Sequence, residues 1–155
     1  MPLLKALSCT TLAVVVISNI SVAADTGYMP SLGDIMATIQ LRHAKLWYAG
    51  RAKNWPLADY ELRELKARLE QATSLYPSAP GWDMTSIEQR MVLLREAIKV
   101  QDGAKFDQVF RQITIACNSC HETTGRAFIV IRAPVFPSPY SNQVYAPPGK
   151  VPSTR

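Results

Sequence analysis

The chain has 155 residues, 48% hydrophobic and 19% charged, with seven Gly and 11 Pro, which suits one compact domain and excludes a fibrous or wholly disordered chain. Seventeen Lys and Arg against 12 Asp and Glu leave a formal charge of +5, spread along the sequence without a basic run, so nothing marks a nucleic-acid-binding surface. No apolar stretch reaches the roughly 20 residues that cross a bilayer as a helix, which argues against an integral membrane span once the N-terminal segment is removed.

That segment, residues 1–24, reads as an address. Lys5 precedes the apolar run Leu12 to Ile20, and Ser21, Val22, Ala23 and Ala24 follow before the polar sequence that starts at Asp25. This is the layout of a secretory signal peptide cut after Ala23 or Ala24, and it predicts a periplasmic protein. Cleavage takes Cys9 with it, so Cys117 and Cys120 are the only cysteines expected in the mature chain, and the loss of Lys5 lowers the formal charge from +5 to +4.

Residues 25–131 carry four helical patterns. From Ser31 to Gly50, Leu32, Ile35, Met36, Ile39, Leu46 and Trp47 recur at three- and four-residue spacing, with Ser31 or Asp34 as cap and Gly50 as terminator. Pro56 to Tyr76 sets Leu62, Leu65 and Leu69 on one face and Glu61, Arg63, Glu64, Lys66 and Arg68 largely on the other, stopping before Pro77. Thr85 or Ser86, with Glu88 as capping-box partner to Thr85, opens a helix carrying Ile87, Met91, Leu94 and Ile98 to about Gln101. After Asp102-Gly103 the fourth pattern runs through Phe106, Val109, Phe110, Ile113, Cys117 and His121 and fades near Gly125.

Four helices of similar length with short connections predict an all-α, antiparallel four-helix bundle in up-down-up-down order. Ala127 to Ile131 is too short for periodicity to separate a strand-like segment from more helix. Residues 132–155 hold six of the 11 prolines and are expected to form an extended wrap or loose tail.

The chemistry is concentrated in Cys117-Asn118-Ser119-Cys120-His121. A C-x-x-C-H run is the attachment signal of c-type haem: two thiols spaced to reach two vinyl groups, then an imidazole placed to ligate iron. One covalent haem c held by Cys117, Cys120 and His121 is therefore the expected cofactor, and the export signal agrees, since such attachment takes place outside the bacterial cytoplasm. A thioredoxin-like site would want the cysteines at the start of a helix after a strand, and zinc would want a fourth ligand, for which His43 is the remaining histidine.

On these residues the chain resembles the cytochrome c-prime family and its methionine-ligated relatives, exported four-helix bundles with the haem motif on the last helix. The resemblance covers roughly residues 31–125; Cys117, Cys120 and His121 match the family's thioether cysteines and proximal histidine. The tail beyond Gly125 and the stretch Arg42 to Gly50 do not match it. The resemblance implies a distal residue from the first helix, where methionine gives a six-coordinate electron carrier and a non-ligating apolar residue leaves an open iron that binds or senses small gases.

Met36 and His43 are the candidates there, about 10.5 Å apart along the helix axis and so unable both to reach one iron. Met36 lies at the height of His121 if the first and last helices run antiparallel, so it is the favoured distal ligand, with an open site next and His43 third. Arg42, Lys45, Arg126 and Arg132 are candidate propionate partners, and Trp47, Tyr48, Trp55 and Tyr60 are expected to pack the end of the bundle. The expected partner is a redox protein rather than a nucleic acid or membrane; a homodimer is left open, because the outer helix faces carry no clear apolar stripe. No Ser-His-Asp set or phosphate loop supports an enzyme.

Overall fold

The structure, a computed structural model, describes residues 27–78, 84–135, 138 and 143–150. The signal segment expected over residues 1–24 lies outside them, as does much of the proline-rich stretch 132–155. Among the described residues the chain is all-helical, with α1 (Leu32–Arg51), α2 (Trp55–Leu75), α3 (Thr85–Lys99), α4 (Gly103–Thr123) and no strand. No helix among them is long and apolar enough to cross a membrane.

Polar caps start three of the helices. Ser31 Oγ accepts the Asp34 N–H at 3.1 Å, Asn54 Oδ1 the Leu57 N–H at 3.3 Å, and Asp102 Oδ1 the Lys105 N–H at 2.9 Å, each satisfying an amide that the helix itself leaves free. α3 departs from the expected capping box: Met84 stands at the N-cap in a helical conformation without a side-chain bond, and Thr85 is already the first helical residue. Met84 is half-buried against the core and so adds apolar packing at this end.

Two connections are built alike. α1 ends in a left-handed Lys53 (φ 57°), with Lys53 N–H on Gly50 O and Asn54 N–H on Ala49 O, both at 2.9 Å. α3 ends in a left-handed Gln101 (φ 59°), with Gln101 N–H on Ile98 O at 3.1 Å and Asp102 N–H on Ala97 O at 2.9 Å. Both are Schellman closures. The residue that completes each one, Asn54 or Asp102, also caps the next helix. α1 accordingly packs most extensively on α2 and α3 on α4, with smaller contacts between α2 and α3 and between α1 and α4.

Gly50 does not end α1, which continues to Arg51, and the left-handed turn falls to Lys53 instead. Its role is close approach: the Phe106 ring of α4, fully buried, lies on the Gly50 backbone, and a methyl group there would overlap the ring. Phe106 begins an aromatic column. Its ring centroid is 5.9 Å from that of Phe110, which lies 4.9 Å from Trp47 and 4.4 Å from His43; Trp55 meets Phe106 edge-on at 6.0 Å. Trp47 and Trp55 are thus core residues, as expected, whereas Tyr60 stays exposed and Tyr48 stacks on Tyr145 at 5.3 Å.

Glu61 corrects the expected polar face of α2. It is 1% exposed, held by Arg42 Nη1 of α1 at 3.0 Å, with Glu64 3.7 Å from the same guanidinium. A carboxylate this deep is tolerated because a charged donor reaches it, and removing Arg42 would strand Glu61. Beyond α4, Ala133 enters the core, and Asn54 Nδ2 donates to Ala146 O at 3.0 Å, tying residues 143–150 to the first connection.

Gly50→Ala is expected to destabilise the fold by about 2 kcal/mol through overpacking against Phe106. Lys53→Gly, which relieves a side chain held at positive φ, is expected to stabilise it by about 0.5–1 kcal/mol. Urea unfolding of both variants measures the two opposite signs.

Candidate functional site

The last two turns of α4 carry Cys117, Cys120 and His121, and the first turns of α1 carry Met36. These four side chains meet in one cleft of about 250 Å³. Its walls are mostly aliphatic, from Leu32 and Ile39 of α1, Leu69 of α2, Ile87 of α3, and Ile129 and Ile131 beyond α4. Helical spacing does the gathering: 117, 120 and 121 are one turn apart and share a face, and α1 supplies Met36 on its own inward stripe.

His121 is half-buried, and its Nδ1 lies 2.9 Å from the carbonyl oxygen of Ile129. A carbonyl only accepts, so Nδ1 carries a hydrogen and donates it, and Nε2 is the nitrogen on which a neutral ring keeps its lone pair. An imidazole held this way is oriented as a metal-ligating histidine is, with its outer nitrogen engaged and the other available.

Cys117 and Cys120 are not joined in a disulfide. Burial, and secondarily the neighbouring Cys120, push the Cys117 thiol up to about 12. A C-x-x-C pair serving thiol exchange needs the reverse, a thiolate stabilised at a helix N-terminus; here the pair sits at the C-terminal end of α4, where the helix dipole disfavours negative charge. Among the described residues no group of three or more His, Cys, Asp or Glu side chains is arranged to hold a bare metal ion. Two thiols at attachment spacing, an imidazole with a free Nε2 and an aliphatic wall nevertheless fit a covalently bound haem.

His43 does not reach the cleft. It is 3% exposed among the aromatic rings of the core, with Nε2 2.8 Å from Thr114 Oγ1. The Thr114 hydroxyl already donates to Phe110 O at 3.0 Å, so His43 Nε2–H is the donor in their contact. Burial drives the His43 pKa down from 6.5 to about 4, keeping the ring neutral.

Of the candidate propionate partners, Arg126 lines the cleft, where its Nη1 also donates to Thr124 O at 2.9 Å. Arg42 is committed to Glu61 and Glu64, and neither Lys45 nor Arg132 lines the cleft. A second methionine does line it: Met84, at the start of α3. Sequence periodicity passed over Met84 because it precedes the helical stripe; its position in front of Ile87, which the stripe does mark as inward, was the available signal. No family model, curated protein or solved structure matches this chain.

The depressed His43 pKa couples stability to pH. The unfolded chain protonates this ring near pH 6.5 and the folded chain only near pH 4, so between those values unfolding takes up a proton. Stability is therefore expected to be fullest above pH 6.5 and to fall by up to about 3 kcal/mol on acidification toward pH 4. His43→Gln, a donor that does not titrate, should flatten that part of the curve, as measured by denaturant unfolding across the range.

Proposed function

We propose that this chain is an exported c-type cytochrome resembling the cytochrome c-prime family, binding one haem covalently and transferring single electrons to and from a periplasmic redox partner. The observation that carries the reading is the convergence of both thiols, an imidazole with its Nε2 free, and a methionine on one aliphatic cleft. Haem, when bound, supplies reversible one-electron chemistry at its iron.

The chain's residues take the following parts. Cys117 and Cys120 would hold the haem covalently through their sulfurs, which would keep it from dissociating. His121 would hold the iron through Nε2 and Met36 would be the second protein ligand through its thioether, a pairing that would raise the reduction potential relative to two histidines. The aliphatic walls keep water from the iron, and Arg126 is the basic group positioned at the cleft for a propionate.

An antiparallel, up-down-up-down order of the helices belongs to the same proposal. Its support is the short connections and the register of α1 against α4, in which Gly50 meets Phe106, Trp47 meets Phe110, His43 meets Thr114 and Met36 shares the cleft with His121. Export rests on residues 1–24, and N-terminal sequencing of the secreted protein is expected to begin at Ala24 or Asp25.

Absorption spectra of the haem-loaded protein, oxidised, reduced and reduced under carbon monoxide, test the reading. Low-spin bands indifferent to the gas are expected. Met36→Ala should turn them high-spin and gas-sensitive, while Met84→Ala leaves them unchanged; the opposite pattern would transfer the ligand role to Met84. A wild-type spectrum that is already high-spin and shifts with carbon monoxide would favour the gas-binding alternative, and no covalent haem band would end the cytochrome reading.

A further inference from the structure

After α4 the chain turns back along the helix it has just left. Gly125 takes the left-handed conformation (φ 73°); its N–H bonds Glu122 O at 3.1 Å, and the Arg126 N–H bonds the carbonyl of His121 itself at 2.6 Å. A turn closed by Ile129 N–H on Arg126 O at 2.8 Å then sends the backbone past His121 toward Asn118. There the Asn118 side chain bonds the Ile131 backbone in both directions, Nδ2 donating to its carbonyl and Oδ1 accepting its N–H, each at 2.9 Å.

The returning segment has two faces. Ile129 and Ile131 line the cleft, Ile129 with 41% of its surface still exposed, while Phe128 and Val130 are 82% and 75% exposed. Alternation of this kind makes register decisive. A slip of one residue would swap the faces and carry the Ile129 carbonyl away from the imidazole. Asn118 opposes such a slip, because a primary amide both donates and accepts and so satisfies the N–H and the C=O of a single residue at once.

We propose that residues 126–131 form a strap that fixes the tautomer and direction of the His121 imidazole, and that Asn118 is the positioning residue that sets the strap's register. Asn118 occupies one of the two unspecified positions of C-x-x-C-H, so the device belongs to this chain rather than to the motif. A neutral histidine in water prefers its hydrogen on Nε2. The strap reverses this preference by presenting the Ile129 carbonyl to Nδ1. The use of that reversal, to aim a free Nε2 at iron, rests on the haem reading above; the tautomer itself does not.

The chain holds two histidines, which makes the test self-controlled. Long-range proton–nitrogen correlation spectra of the full chain without haem, taken at a pH where imidazoles are neutral, are expected to give opposite tautomers: Nε2–H for His43, bonded to Thr114, and Nδ1–H for His121. Asn118→Ala, which removes both bonds of the strap's anchor, should return His121 predominantly to Nε2–H, and Ile131→Pro, which removes the bond from the Ile131 N–H, should move it in the same direction, while the His43 signals stay unchanged and so report an intact core. Asn118→Asp, which keeps the bond from the Ile131 N–H but loses the one to its carbonyl, should fall between. Wild-type His121 as Nε2–H would overturn the proposal outright, and so would an unaltered Nδ1–H tautomer in both anchor variants.

A second readout uses the haem-loaded protein. The carbonyl bond makes the imidazole a stronger donor, so Asn118→Ala should raise the reduction potential while the covalent haem band persists. A potential unmoved by Asn118→Ala would count against the strap. Absence of the haem band in the wild type would refute the cytochrome reading and leave the tautomer result standing.

Discussion

Much of this molecule hangs on one close approach, the Phe106 ring lying on the Gly50 backbone. A ring that takes the place of a side chain brings α4 nearer to α1 than two ordinary residues would permit, and the aromatic column from Phe106 through Phe110 to Trp47 and His43 continues the contact. Met36 lies about 21 Å along α1 from Gly50. At that remove the two helices are separated by a cleft instead of a ring, so tight packing at one point fixes the position of α4 while leaving space at another.

The two histidines divide along the same line. His43 sits where the helices touch: burial strips it of charge, and its hydrogen bond to Thr114 spends the Nε2 donor inside the core. His121 sits where they part, with its Nδ1 taken by a carbonyl and its other nitrogen free. Identical side chains thus differ in tautomer and exposure because of what the neighbouring backbone and hydroxyl present. The same contrast separates the Arg42–Glu61 pair, sealed between α1 and α2, from Arg126, which borders the cleft.

The sequence discloses the helices well because Leu, Ile and Phe at three- and four-residue spacing suit an amphipathic helix and little else, and the cap Ser31, the Asp102-Gly103 turn and the terminator Gly125 agree with that pattern. The spacing of Cys117, Cys120 and His121 likewise places them on one helix face, and all three line the cleft. What the sequence hides are decisions made by distant partners. Glu61 looks solvent-facing until Arg42, 19 residues earlier, is seen to reach it. Gly50 reads as a terminator because glycine serves both left-handed turns and close contacts, and only Phe106 decides between them. The Thr85–Glu88 pattern is present, yet the helix starts one residue earlier, with Met84 at the N-cap. Ala127 to Ile131 carries too few residues to show a period, and its conformation is set by the Asn118 amide rather than by its own side chains.

The two joints built on Asn54 and Asp102 have a consequence for how such a chain can change length. Each residue finishes one helix with its backbone N–H and starts the next with its side chain. An inserted residue at either place would separate these duties, leaving one helix unclosed or the next uncapped, and would rotate the following helix face relative to the one before. Length can therefore change at these two corners only at the expense of a helix end, and the single residue at each corner fixes the spacing between the paired helices.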